Sequence, residues 1–425
     1  MVTGEYYNIF GITQLDADYS DIQNKVQEKS AAYLHERIHF MQNFGTVYGV
    51  NKALLFMSQY LGRILQMQQG KFAMAPYDRE DQDFINSIFL SAEGDGFDSK
   101  GNIIQCHAIE SIEEIDSYSF LGYDKTFPEY RNLYEKELLL KYDEGKEYCF
   151  GGAAISESMA YLCEQFFFGR KDYSHRFPYN ACEMVYKHIM KKECKNIPVL
   201  IGLCYAALMT MYPGNTFVEL VRIIKRDNKE MNSAKDVFEF AEDKIKGVDR
   251  KIIEEIFKKL DLIFPEEVEA HVSIYEEESK YTKEWLKMKY KSITENELAY
   301  RKALSWILDE VKSDKKVLAM FSLLKEYGDP IVIDIKGNMY SGEDKKLVHA
   351  LAPLALFKVI RDRKPDCFLY NVCKANNGKP DEDCKKWCWK HKSNNHCCIL
   401  RYYLYKMGLG EIQFEQLEDS PFNFL

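Results

Sequence analysis

The sequence has no apolar run long enough for a membrane span. The nearest, IPVLIGLCYAALMTMY from Ile197 to Tyr212, falls short of the ~18 residues required and reads as a buried core helix. A secretion leader is also missing: MVTGEYYNIFGITQLDADYSD has neither a basic stretch nor an apolar one behind it. Positive charge is not in excess, since 57 Lys and Arg face 66 Asp and Glu for a net charge of −9. That balance argues against nucleic-acid binding through overall charge and leaves only local basic patches. No internal repeat is visible. The expectation is a cytoplasmic protein with no membrane segment. There, the 12 cysteines are expected as reduced or metal-bound thiols rather than disulfides.

What is present is a globular composition. Hydrophobic residues make up 46% and aromatics 14%, enough for a large core rich in Phe and Tyr. The patterning predicts a mainly α (α+β) fold. A short strand is expected over 7–12 with its flanks, then a long helix capped within Asp18 to Asp21, with Gly45 and Gly49 ending or bending it. Residues 93–103 read as a loop. Glu137 to Tyr142 and Glu147 to Phe150 read as a hairpin around Asp143-Glu144-Gly145. Helices follow from about Ala153 to Phe167, Asn180 to Lys192 and Ile197 to Met211, with Pro213-Gly214 as a stop. From Thr216 to about Tyr327 the chain reads as amphipathic helices with solvated charged faces. Ile331 to Gly342 reads as a hairpin with Lys336-Gly337-Asn338 at its tip, followed by a helix kinked at Pro353. Three regions are expected: 1–215, a core of helices and short strands; 216–330, a helical accessory region; and 331–425, a hairpin, a helix and a Cys-rich end.

The stretch YLHERIHFMQ contains His35-Glu36-Arg37-Ile38-His39, the pattern H-E-x-x-H. A helix stacks residues i and i+4 on one face, so both imidazoles can point at one ion. Zinc takes such nitrogen ligands at ~2.0–2.1 Å. An ion there lowers the pKa of a water toward ~7, and Glu36 sits where it can take that proton and pass it to a leaving amine. Leu34, Ile38 and Met41 lie at helical spacing and give the helix a buried side. Two histidines and a glutamate on such a helix are costly without a partner.

HERIH resembles the active-site helix of the zincin metallopeptidases. The metzincin extension would need Gly at 42 and His or Asp at 45; Gln42 and Gly45 stand there. The pattern is closer to a gluzincin, in which a later helix supplies a glutamate as third zinc ligand. The resemblance implies Glu157 for that role, among the small residues Ala153, Ala154, Ser156 and Ala160, with Glu164 as the second candidate. It implies that 1–215 is a zincin-like metallopeptidase core, and that the chain is a zinc-dependent peptidase with Glu36 as base, acting on a peptide or protein. The strand KEYCF would be the edge along which an extended substrate lies. An oxyanion donor besides zinc is also implied. Tyr161, one turn after Glu157, and His175, Tyr173 and Tyr179 in the connector DYSHRFPYN are candidates, each also readable as structural. The separation of His39 and Glu157 is longer than in many gluzincins.

Six of the cysteines fall between Cys367 and Cys398. Cys373, Cys384, Cys388 and Cys397 are the candidate ligands of a second, structural zinc, with His391 and His396 nearby and an iron–sulfur cluster as an alternative. The polar stretch PDEDCKKWCWKHKSNNHCC would fold poorly without such a staple. Two other function classes compete with the peptidase. Glu36-x-x-His39 also fits a ferritin-like di-iron bundle, but that design needs a second E-x-x-H, and Asp172-x-x-His175 is the nearest approach. An interaction or nucleic-acid-binding protein working through the Cys-rich end is the third class, with a regulatory protein partner possible in either of the non-bundle readings.

Overall fold

The computed structural model describes residues 4–7, 10–19, 27–69, 92–97, 102–115, 137–169, 175–244, 250–265, 274–328, 330–340, 351–362, 367–375, 380–386 and 398–409. It is mainly helical with a small β part.

The chain starts with two strands where one was expected over 7–12. β1 (Gly4–Tyr7) and β2 (Ile12–Leu15) pair antiparallel, and Gly11 takes φ +62° in the turn between them, a conformation open to glycine without strain. β2 then pairs in parallel with β8 (Ile331–Ile333), Ile12 opposite Ile331. β9 (Met339–Tyr340) completes the order β1-β2-β8-β9. The hairpin expected around Lys336-Gly337-Asn338 is therefore present, and its turn is held by Asp334, which accepts from the Lys336 and Asn338 amides. Two strands, β3 (Ile104–Gln105) and β7 (Arg176–Phe177), form a separate antiparallel pair. β4 (Ile109–Ile115), β5 (Glu137–Tyr142) and β6 (Lys146–Cys149) form a three-stranded antiparallel sheet, with the expected turn at Asp143-Glu144-Gly145.

Helix α1 (Gln27–Gly45) is the centre of the molecule. Its Leu34, Ile38 and Met41 are buried, as their spacing implies, but Glu36, Arg37, Gln42 and Asn43 are buried too. A helix buried all round needs cover on every side. That cover comes from β1, α2 (Val47–Gln68), α3 (Gly152–Phe168), α9 (Ile274–Asp309) and α10 (Ser313–Tyr327). Thr46 separates α1 from α2: its hydroxyl donates to the Gln42 carbonyl at 2.6 Å and accepts the Gly49 amide at 3.0 Å, as an N-cap does.

Beyond α3 lie α4 (Ala181–Met190), α5 (Ile197–Leu208), α6 (Pro213–Arg226), α7 (Ala234–Phe240) and α8 (Arg250–Ile263). α5 is buried continuously from Val199 to Leu208, which explains its unbroken apolar sequence. Pro213 is not a stop. It opens α6, a position where the missing N–H costs nothing. The last helices are α11 (Leu351–Asp362), α12 (Tyr370–Ala375), α13 (Glu382–Lys386) and α14 (Ile399–Lys406). The turn before Pro353, where a kink would show, lies outside the described residues, as do the caps expected at Ser20 and Asp21. One hydrophobic cluster runs from Phe10 to Leu409 and includes residues of all three expected regions.

Candidate metal centre

α1 and α3 pack face to face, and Ala154 and Ala160 are fully buried on α3. Small side chains let the two backbones approach, so the longer polar side chains of both helices meet. His35, Glu36 and His39 come from α1; Glu157 and Glu164 come from α3. His35 Nε2 lies 3.1 Å from Glu157 Oε2, and His39 Nε2 lies 3.4 Å from Glu157 Oε1. The imidazole centroids are 4.8 Å apart. One ligand atom from each of His35, His39 and Glu157 falls within 4.8 Å of the others, the one such His/Cys/Asp/Glu group among the described residues.

Each imidazole is also held from behind. His35 Nδ1 lies 2.6 Å from Glu164 Oε1, so it donates to a carboxylate. His39 Nδ1 lies 2.8 Å from Gln42 Oε1. The Gln42 amide is oriented by its own Nε2, which donates to the Ser156 carbonyl at 3.0 Å. An amide oxygen only accepts, so His39 Nδ1 donates to it, and Nε2 is the ring nitrogen turned toward Glu157. Both Nε2 atoms thus face Glu157 while both Nδ1 atoms are engaged, the arrangement by which supporting groups orient metal-binding histidines. Glu164 therefore supports His35, and Glu157 joins the two histidines.

The electrostatics point the same way. Glu36 is buried, and burial pushes its carboxyl up to about 7 against the lowering pull of His35 and His39. For His35 burial acts downward, but Glu157 and Glu164 together hold it well above the usual imidazole range. For Glu157 burial acts upward, yet His39 and His35 hold it below the ordinary carboxylate value. Three carboxylates around two imidazoles, largely shielded from water, form a site that a cation would balance. Two His nitrogens and one Glu oxygen are a donor set that suits a divalent metal ion.

Several neighbours were not legible in the sequence. Lys52 on α2 donates to Glu93 at 2.6 Å, and the Tyr48 hydroxyl donates to the same carboxylate. Burial pushes Glu93 up to about 8, with Glu157 adding to it, and burial lowers Lys52 to about 8. Gln42, three residues beyond His39, had a signal in its helical spacing; Lys52 and Glu93 had none.

Of the oxyanion candidates, Tyr161 is fully buried, accepts from Gln165 Nε2 at 3.0 Å, and packs on Tyr179 with centroids 5.8 Å apart. Tyr179 is the member that reaches the centre, its ring 6.0 Å from His35. His175 stacks on His107 at 6.4 Å and gives its carbonyl to the Cys106 amide. Tyr173 lies outside the described residues. The edge strand KEYCF is not open along its length. The Asp95 amide donates to the Cys149 carbonyl and Asp95 Oδ2 accepts the Cys149 amide, both at 2.7 Å. The loop before β3 thus satisfies the outward backbone groups at that end of β6, the groups an added peptide strand would use.

At the C-terminal end, Cys373 and Cys384 are described. Cys388, Cys397, His391 and His396 lie outside the described residues. No disulfide joins the described cysteines. No described helix is long and apolar enough to cross a membrane. No family model, curated protein or solved structure matches the chain.

Proposed function

We propose that this chain is a zinc-dependent peptidase of the gluzincin type, acting on a peptide or protein substrate. The observation that carries the proposal is the convergence of His35, His39 and Glu157 beside the buried Glu36. His35 and His39 hold the ion through Nε2, and Glu157 through a carboxylate oxygen. Bound zinc supplies Lewis acidity to a substrate carbonyl and to a water. Glu36 accepts the proton of the attacking water at a carboxylate oxygen and returns it to the departing amine nitrogen. Burial raises this carboxyl to about 7 in the metal-free protein, which makes its carboxylate a stronger base than that of an exposed glutamate. Glu164 and Gln42 keep both rings turned to the ion.

The test uses zinc content together with cleavage of a peptide library read by mass spectrometry. Wild type should carry zinc and cleave. Glu36→Gln should keep its zinc and lose cleavage by at least the ~10²–10⁴ that a general base contributes. His39→Ala should lose the zinc while staying folded. Cleavage undiminished in Glu36→Gln, or zinc content unchanged in His39→Ala, would remove the proposal.

A further inference from the structure

Glu93 to Phe97 runs past the metal centre as an extended piece of chain. Gly94 and Gly151 are bare where this segment crosses the entry to α3. A methyl group on either would stand 2.6 Å from backbone atoms of the other segment. Two residues on, a methyl on Gly96 would lie 3.8 Å from the Ala153 β-carbon. Ala153 and Glu157 are four apart on α3, so they share a face about 5–6 Å from each other. The segment therefore passes one helical turn from the carboxylate that joins His35 and His39.

Its side chains take three kinds of group that would hold a bound peptide. Glu93 accepts from the Lys52 ammonium at 2.6 Å and from the Tyr48 hydroxyl, both on α2. Asp95 takes the outward amide and carbonyl of Cys149 on the edge of β6. The Tyr148 hydroxyl donates to the Asp95 carbonyl at 2.6 Å. Phe97 meets Tyr179 edge-on at 5.9 Å, and Tyr179 in turn lies 6.0 Å from His35. A cation, a strand edge and an aromatic ring beside the histidines are what fix an extended peptide by charge, main-chain bonds and a side-chain contact. A loop that only covers α3 would bury its large apolar side chain, yet Phe97 is 38% exposed, and Asp95 is exposed too. Little apolar burial holds the segment. Its polar anchors can be exchanged for the same groups on another peptide at small net cost.

Taking the centre as a peptidase site, we propose that Glu93–Phe97 is an internal pseudosubstrate. It lies on the track of the peptide to be cleaved, and that peptide carries an acidic residue four positions before an aromatic one. Being part of the same chain, the segment competes at a high effective concentration. A substrate's apparent affinity then falls by the fraction of time the track is open.

The test uses the metal-free full chain and a fluorescently labelled hexapeptide AEGDGF, the sequence of 92–97, with binding read by anisotropy. Wild type should bind it weakly. Glu93→Gln/Asp95→Ala/Phe97→Ala frees the track and should bind it about tenfold more tightly. Adding Lys52→Met, or replacing the probe by AQGDGA, should remove that gain. Equal affinity of wild type and the triple variant, or binding to neither, overturns the proposal. Should circular dichroism show the triple variant unfolded, Phe97→Ala alone, at an exposed ring, should bind about threefold more tightly than wild type; no gain there overturns the proposal equally. The zinc-loaded chains are then given a peptide library. The triple variant should cleave with lower KM at similar kcat. A gain in probe binding with no cleavage by any zinc-loaded chain would remove the peptidase reading and leave the segment's occupancy of the track standing. Cleavage with no gain in probe binding would do the reverse.

Discussion

His35 Nδ1 and Glu164 Oε1 are 2.6 Å apart, and both side chains are buried. The pair spans α1 and α3, so it fixes the ring on one helix by a carboxylate on the other. Replacing Glu164 by Gln keeps an acceptor but removes its charge. Zinc affinity should fall about 10–100-fold, the usual cost of losing a supporting partner of a ligand. Glu157→Gln should cost more, because it removes a ligand. Competition with a chelator measures both, and equal affinities for Glu164→Gln and wild type would show that Glu164 does not support the site.

Zinc binding should weaken on acidification. His35 is held above its ordinary value of 6.5 in the metal-free protein, so its proton competes with the ion. Below that raised value each displaced proton should lower affinity about tenfold per pH unit. Zinc titrations between pH 5.5 and 8 at about unit intervals test this, and a flat affinity would contradict it.

Glu36 makes the metal-free protein sensitive to alkali. Its folded value of about 7 lies above the 4.5 of the free group, so the folded state binds this proton more tightly than the unfolded state. The penalty for ionising it is absent below 4.5, grows between there and 7, and is complete above. In metal-free protein, Glu36→Gln should therefore raise stability at pH 8 by about 1–3 kcal/mol and change little at pH 4.5. Denaturant midpoints at the two pH values decide it.

Gly214 packs against the turn that leads into α3. A methyl group there would stand 2.3 Å from the Phe150 carbonyl oxygen and 3.3 Å from the Gly151 α-carbon. Backbone cannot step aside as a flexible side chain can, so Gly214→Ala should destabilise by about 1–3 kcal/mol. The shift would appear in thermal unfolding. Because α3 carries Glu157, weaker zinc binding should accompany it.

Tyr403 ties α14 to the body. Its hydroxyl donates to the Ile263 carbonyl at 3.1 Å and accepts from Tyr60 at 3.0 Å, in buried surroundings. Tyr403→Phe strands both partners and should cost about 1–3 kcal/mol. An unchanged unfolding midpoint would mean that water reaches these groups.

The sequence by itself determined what depends on neighbours along the chain. The helical spacing of His35 and His39, the buried stripe of Leu34, Ile38 and Met41, and the hairpin at Asp143-Glu144-Gly145 all follow from local periodicity and turn chemistry. Helix identity in α3 and its small residues also pointed to Glu157. Local signals misread two places: one strand was expected through Gly11, which turns the chain between β1 and β2, and Pro213 was expected as a stop although it opens α6. Only the tertiary structure decided which of Glu157 and Glu164 joins both histidines and which braces one of them from behind. The two lie on one helix seven residues apart, and the difference arises from how α3 is set against α1. The same packing brings Gln42 to the Ser156 carbonyl, Lys52 to Glu93, and Asp95 to the edge of β6. Each is a contact between residues far apart in sequence, set by the burial of apolar surface around α1 and not by any pattern in the chain.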